Sequence, residues 1–216
     1  TGRLPVNVKV LFEGEEEIGS PHLEPFIDSN RDKLRCDAFL SADALTLSPD
    51  QPSLICGLRG IAYFELWVHG PDKDLHSGAF GGAVHNPANV ICDLIAGMHD
   101  PDGRITLPKF YEDVRILPDD ERAELARFPI SDEEFRKTAG VSEMWGEKGF
   151  TTIERLGTRP TLDVNGLSSG FTGEGIKTVI PAKAMAKVSM RLVPNQSPAL
   201  VEEELREYVR AKAPST

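Results

Sequence analysis

Hydrophobic and polar residues alternate near the start of the chain. Apolar side chains occupy every second position over 5–12, which predicts a β-strand. Ser20-Pro21 then fits the beginning of a helix, with the serine as N-cap, and apolar spacing continues this helix to about Leu34. A second strand is predicted at 36–42. Strand, helix and strand in this order indicate a parallel pair from an α/β domain.

The pattern changes after a polar break at Pro49 and Pro52. A half-buried strand is predicted at 61–69 and an amphipathic helix at 86–99. Later segments repeat these signs, with strands at 161–167, 176–180 and 185–193 and a last helix that begins at Ser197-Pro198. Helices on one face of an antiparallel sheet make a two-layer α+β unit, so we place a domain boundary near residue 57.

A charged segment at about 109–149 interrupts the second unit. Its pattern indicates short helices, and Ser131 with Glu134 matches a capping box. The expected organisation is therefore an α/β portion over 1–57, followed by an α+β two-layer domain over 58–216 with a helical insertion.

Composition narrows the class of protein. The 216 residues include 24 Lys and Arg against 34 Asp and Glu, for a net charge of −10. We expect no nucleic-acid partner, because phosphate binding needs clustered cations. No apolar run reaches the about 20 residues of a membrane span, so no membrane partner is expected. Cys36, Cys56 and Cys92 are too few and too widely spaced for a disulfide framework, which favours a reducing, cytoplasmic location.

Four glutamates lie within 13–17, directly after the first predicted strand. A solvated turn is one interpretation. The other is a ligand site, because ligands of α/β sheets collect beyond the carboxyl ends of strands. Glu16 and Glu17 could then divide the work, one binding a metal ion and the other accepting a proton from water. Asp43, after the second predicted strand, would be a further ligand.

The five histidines are too scattered for a local metal motif. His76 differs from the others because it lies in a loop, Asp74–Gly78, that glycines follow, and such loops can bring a side chain close to a ligand. Arg191 lies on the polar face of the 185–193 strand. It is either a surface charge or a clamp for a carboxylate.

Several short segments together resemble one known family. They are Phe12-Glu-Gly-Glu-Glu-Glu-Ile-Gly-Ser20, Gly57-Leu-Arg-Gly60, Lys73-Asp-Leu-His-Ser-Gly78, Lys177-Thr-Val-Ile-Pro181 and Arg191-Leu-Val-Pro194. Their order and type resemble the di-zinc metallopeptidases that include carnosinase, cytosolic non-specific dipeptidase, aminoacylase and carboxypeptidase G. The carnosinase-type branch is the nearest match, and the resemblance covers nearly the whole chain apart from the insertion.

The resemblance implies a chemistry for the first unit. It implies hydrolysis of the amide bond of dipeptides or related N-acyl amino acids, with two divalent metal ions as cofactors, zinc before manganese. Glu16 would be the general base that activates a metal-bridging water. Glu17 would bind one metal ion and Asp43 the other.

The resemblance also implies that the second unit is a lid and dimerisation domain. His76 would reach the active site of the partner subunit in a homodimer and stabilise the oxyanion there. Thr178 and Arg191 would hold the substrate, with Arg191 binding its C-terminal carboxylate.

Several of the family's metal ligands and its last lid strand have no counterpart here. We therefore expect a fragment that by itself binds zinc weakly and hydrolyses nothing. A non-catalytic dimerisation or interaction module is the alternative function. A calcium-binding surface at 13–17 ranks last, since the spacing of an EF-hand loop is absent.

Overall fold

The computed structural model describes residues 2–43, 55 and 57–214. The chain divides into two compact units, Thr1–Ile55 and Cys56–Thr216. This division falls close to residue 57, whereas the assignment of the units to a catalytic domain and a lid stays a prediction. The predicted polar break at Pro49 and Pro52 lies outside the described residues, as does Cys56.

Residues 2–43 contain short helices. A 3₁₀ turn, Glu16–Ile18, ends at Gly19 and precedes α1 (Leu23–Ser29) and α2 (Arg31–Leu34). The predicted helix therefore begins at Leu23 and not at Ser20-Pro21. Ser20 has a φ of 50°, a left-handed conformation that an N-cap residue does not adopt.

The strands predicted at 5–12 and 36–42 are wrong, because residues 2–43 form no β-ladder. The alternating apolar side chains of the first segment stay exposed, Phe12 to 92%. Alternation shows a tendency toward extended structure, but a strand forms only where a neighbour pairs with its backbone groups. Instead, the Lys9 ammonium of the first segment donates to the carbonyl of Arg35, at the end of α2, at 2.7 Å.

An antiparallel sheet organises the second unit. Its strands are β1 (Gly60–His69), β3 (Thr161–Ser169) and β5 (Lys183–Leu192), in the order β1-β5-β3. A smaller sheet pairs β2 (Leu75–His76) with β4 (Val179–Ile180), and α3 (Ser77–Phe80) follows β2. The strands predicted at 61–69, 161–167 and 185–193 are confirmed, and that predicted at 176–180 is reduced to β4.

Two helices, α4 (Pro87–Ala96) and α8 (Pro198–Lys212), supply the second layer. Asn86 caps α4 by accepting from the Ala88 N–H, with Pro87 in the first turn. The inward side chains of the sheet and of these helices form the core: Ala62, Ala184, Ala186, Val188, Met190, Leu192, Ile91, Leu94, Val201 and Leu205. The Tyr208 hydroxyl donates to the Leu94 carbonyl at 2.8 Å and joins the helices. The predicted two-layer α+β fold is confirmed.

The predicted insertion consists of short helices. They are α5 (Asp119–Leu125) and α6 (Asp132–Ala139), and α7 (Thr152–Gly157) follows before β3. The capping box of Ser131 and Glu134 is confirmed, and Thr151 with Glu154 forms a second one.

One buried and one half-buried ion pair connect this region to the rest of the unit. Glu147 accepts two hydrogen bonds of 2.8 Å from Arg159, and both side chains are buried. Glu154 accepts from Arg122 at 2.5 Å, and this hydrogen bond lowers the pKa of the Glu154 carboxyl. In the part of the chain that the structure describes, no helix is long and apolar enough to cross a membrane.

Candidate functional site

The acidic run folds as a tight turn. The Glu15 carbonyl accepts from the N–H groups of Ile18 and Ser20, and the Glu16 carbonyl accepts from Gly19 at 2.9 Å. Gly19 has a φ of 86°, where a residue with a side chain is strained. Glu16 and Glu17 are consecutive residues of this turn, and both are exposed.

The glutamates of this turn differ in their partners. One Glu15 oxygen lies 2.9 Å from Nδ1 of His22, and Glu13 accepts the N–H of Glu15. The Glu16 and Glu17 carboxylates have no ion pair or hydrogen bond with any described residue, and the same holds for Asp43, which is also exposed. These oxygens suit a divalent cation. Within the described residues, however, no three such side chains gather as a metal-binding group.

His76 and Thr178 are brought together although they are far apart in sequence. The threonine Oγ1 lies 3.1 Å from Nε2 of His76. The pairing of β2 with β4 places His76 opposite Val179, and the Ser77 N–H donates to the Thr178 carbonyl at 3.0 Å. Backbone pairing therefore fixes both side chains of this couple.

Two further residues, which the sequence analysis had not singled out, hold this couple in place. Asp74 accepts the N–H of Ala182 at 2.8 Å and ties the two segments together. A Cβ at Gly78 would lie 2.7 Å from Cε1 of His76, so glycine leaves room for the ring. Both lie inside the Lys73–Gly78 motif, but only the folded backbone shows what they contact.

The hydrogen bonds of His76 define its neutral tautomer. Nδ1 accepts the Gly78 N–H at 3.0 Å, so the neutral ring carries its proton on Nε2. Nε2–H then donates to the Thr178 hydroxyl, whose own proton is left to point elsewhere. The Thr178 hydroxyl can thus donate to an oxygen that develops negative charge. When Nε2–H of His76 is not bonded to Thr178, the imidazole can donate to that oxygen instead.

Arg191 lies near the last residue of β5, at the end of this strand that is remote from the His76–Thr178 couple. It pairs across the sheet with Ile61 on one side and Thr161 on the other, and its side chain is exposed. Strand β4 and the His76–Thr178 couple are adjacent to the Lys183 end, where the Gly70 N–H donates to the Ala182 carbonyl. The two substrate-binding candidates of this unit are therefore separated by the length of a strand, on the order of 25 Å.

Arg59, to which no sequence pattern assigns a role, lies close enough to Arg191 for their charges to interact. Burial, and next the positive charge of Arg191, lower the pKa of the Arg59 guanidinium, while Asp163 opposes this shift. Arg59 belongs to the Gly57–Gly60 motif, and that motif was the available signal.

The fold and the site define a two-layer α+β domain that presents polar groups at both ends of its central strand and follows a separate acidic unit in the chain. The family described as the peptidase dimerisation domain of the M20 group matches residues 56–216. The chain belongs to this M20 peptidase family.

Curated proteins and a solved structure agree with this assignment. The chain is 33% identical over 210 residues to the Beta-Ala-His dipeptidase of Rattus norvegicus, covering 96% of this chain and 43% of that protein. It is 35% identical over 207 residues to the Cys-Gly metallodipeptidase dug1 of Schizosaccharomyces pombe, covering 95% and 44%. The M20 family metallo-carboxypeptidase Sso-CP2 of Sulfolobus solfataricus aligns with a TM-score of 0.78 and 38% identity, covering 93% and 46%.

These comparisons confirm the resemblance to the carnosinase-type branch that the sequence motifs indicate. The chain spans a little under half the length of the relatives it matches. The roles of the individual site residues stay predictions.

Proposed function

We propose that the natural full-length protein hydrolyses the amide bond of dipeptides or related N-acyl amino acids with the help of divalent metal ions. The observation that supports this most strongly is the pair of exposed carboxylates, Glu16 and Glu17, which no described residue neutralises. The named activities of the similar proteins, a Beta-Ala-His dipeptidase and a Cys-Gly metallodipeptidase, support the same class of substrate.

The two carboxylates have separate tasks in this proposal. Glu16 accepts a proton from the attacking water and passes it to the leaving amine. Glu17 and Asp43 would each contribute an oxygen ligand to one of two metal ions, zinc before manganese. When bound, the ions would polarise the amide carbonyl and lower the pKa of a water, so that a carboxylate is a sufficient base.

The second unit recognises the substrate. Arg191 binds the C-terminal carboxylate in a charge-assisted hydrogen bond. The His76–Thr178 couple donates to the oxygen that gains negative charge. This couple and Arg191 lie about a strand length apart, on the order of 25 Å, which is too far for one dipeptide to contact both in a single chain. We therefore assign them to two different active sites of a homodimer, with His76 and Thr178 acting in that of the partner subunit.

The experiment is hydrolysis of β-Ala-His and Cys-Gly by the full-length protein with Zn²⁺ or Mn²⁺. Glu16→Gln is expected to lower kcat at least about 100-fold, because the amide cannot accept the proton. Glu13→Gln, in the same acidic turn, is the matched control and should retain activity. A Glu16→Gln variant with wild-type kcat would contradict the proposal.

A dimerisation module without its own activity is the second candidate, and the match of residues 56–216 to a dimerisation domain favours it. Both candidates predict a dimer, which sedimentation can verify, so the hydrolysis assay distinguishes the two. A dimeric full-length protein that hydrolyses neither dipeptide with either metal would support this alternative. A cytoplasmic location is proposed with either function, in keeping with the exposed thiols of Cys36 and Cys92.

A further inference from the structure

Arg59 lies directly before β1, yet its side chain reaches the opposite edge of the sheet. Its Nη1 donates to the carbonyls of Arg155 at 3.5 Å and Arg159 at 3.4 Å, both of which precede β3. Strand β5 lies between β1 and β3, and neighbouring strands are about 4.8 Å apart. The side chain of Arg59 therefore crosses the end of β5, where Arg191 lies.

Three charges lie near this end of β5. Ile61 and Thr161 are the direct neighbours of Arg191 on the two sides. Because side chains alternate along a strand, Asp163 shares the face of Arg191 as its diagonal neighbour, at about 7–8 Å. Arg59 directly precedes Gly60, the first residue of β1 that pairs with β5. The effects of Arg191 and Asp163 on the pKa of Arg59 agree with this arrangement.

Arg191 has no partner within this arrangement. Among the described residues it donates no hydrogen bond and forms no ion pair, although Asp163 is a diagonal neighbour. Further along the same face, the Lys187 ammonium and the Glu65 carboxylate satisfy each other at 3.4 Å. Asp163 and Arg191 are neighbours that do not pair, and this needs a local explanation. The guanidinium of Arg59 provides one.

The backbone that accepts the hydrogen bonds of Arg59 is itself held by buried contacts. Arg159, one of the two residues that accept its hydrogen bonds, is held by the buried carboxylate of Glu147 and stacks 4.2 Å from the centre of the Phe150 ring. The Arg59 guanidinium is thus bound to a well-packed part of the unit, and its position does not depend on that of Arg191.

We propose that Arg59 is a positioning residue for Arg191. Fixed across the end of β5, it shares the negative charge of Asp163 and keeps the Arg191 guanidinium unpaired and available for a carboxylate. Without Arg59, Arg191 pairs with Asp163 and its affinity for the substrate carboxylate falls. This inference rests on the role proposed above for Arg191.

The test measures carboxylate recognition in the 216-residue chain, with N-acetylglycine and N-acetylglycinamide as probes. Their Kd values are obtained by NMR from the side-chain Nε–Hε signal of each arginine. The wild type should prefer the carboxylate. Arg59→Gln should reduce this preference on the order of tenfold, because the acid then neutralises Arg191. The double variant Arg59→Gln/Asp163→Asn should regain most of it.

Two further variants serve as controls for the charge of Arg59 and for the loss of any cation from this face. Arg59→Lys keeps the charge and should keep the preference even though the hydrogen bonds to the two carbonyls change. Lys187→Gln removes a cation that already has a partner on the same face, and should have little effect.

The remaining outcomes are decisive. If Arg59→Gln binds like the wild type, or if Asp163→Asn fails to rescue it, the positioning role is wrong and Arg59 merely supports the turn before β3. In that case Arg191→Gln should still lose the preference. If Arg191→Gln retains it, or if the wild type shows none, the proposed role of Arg191 fails and the inference fails with it.

Discussion

Two glutamates of the first unit and two of the second lie in opposite environments. In the first unit, Glu16 and Glu17 project from a turn into solvent and have no partner among the described residues. In the second, Glu147 and Glu154 are only 8% and 2% exposed, and each is paired with an arginine through two hydrogen bonds. The same kind of side chain is therefore neutralised at the second two positions and left available at the first two.

The difference separates structural from chemical use of a carboxylate. Burying an ionised group requires a charged partner with good geometry, so Glu147 and Glu154 are explained by the packing of the region around α7. An exposed carboxylate without a partner contributes little to stability. The stability of the fold therefore does not account for Glu16 and Glu17, and their position in an exposed tight turn favours a chemical role.

The largest expected effect concerns the buried pair. Glu147→Gln leaves the Arg159 guanidinium, whose side chain is 7% exposed, without its carboxylate. Breaking a buried pair from one side costs about 3–5 kcal/mol, so the free energy of unfolding should fall by about 3 kcal/mol. Urea unfolding followed by circular dichroism measures this change.

The control for this variant is Glu202→Gln on α8, which removes an exposed pair with Arg206. Pairs of this kind contribute about 0.3–0.5 kcal/mol. If Glu147→Gln were no more destabilising than Glu202→Gln, the buried pair would not hold the region around α7, and the contrast between the two sets of glutamates would disappear.

Glu204 on α8 is an intermediate case. It is partly buried, and one of its oxygens is enclosed without a hydrogen-bond partner in the described structure. Burial, followed by the charges of Glu112 and Asp113, raises the pKa of Glu204 to about 7. The folded state therefore binds a proton more tightly than the unfolded state, and this group lowers stability as the pH rises from about 4.5 to about 7.

Glu204→Gln should consequently stabilise the chain above pH 7, by about 1 kcal/mol once solvent screening is allowed for. At pH 4 the variant and the wild type should unfold alike, because both side chains are then neutral. Thermal unfolding at pH 4, 6 and 8 measures the difference, with the exposed neighbour Glu203→Gln as control. A gain that is equal at all three pH values would show that the charge of Glu204 is not its cause.

The sequence predicts elements best where their partners lie in the same unit. The alternation at 61–69 and 185–193 becomes β1 and β5 because each has a neighbour to pair with. The same alternation at 5–12 does not become a strand, since no described segment pairs with it. Periodicity describes one chain segment, whereas a strand depends on two.

Site residues show the same limit. Motif resemblance identifies His76 and Thr178 separately, but only the pairing of β2 with β4 shows that they touch. Arg59 and Glu147 carry no periodic signal, because their side chains act across strands or within irregular backbone. Their roles depend on the reach of a side chain, which spacing along the chain does not encode.

The smallest expected effect is the most direct test of the comparison between the two regions. Glu16→Gln and Glu17→Gln should each change the free energy of unfolding of the chain by less than about 0.5 kcal/mol, because neither carboxylate is buried or paired. Urea unfolding of the metal-free chain measures this. A loss of 2 kcal/mol or more would show that these glutamates stabilise the turn. Their exposure without a partner would then no longer be an argument for a chemical role.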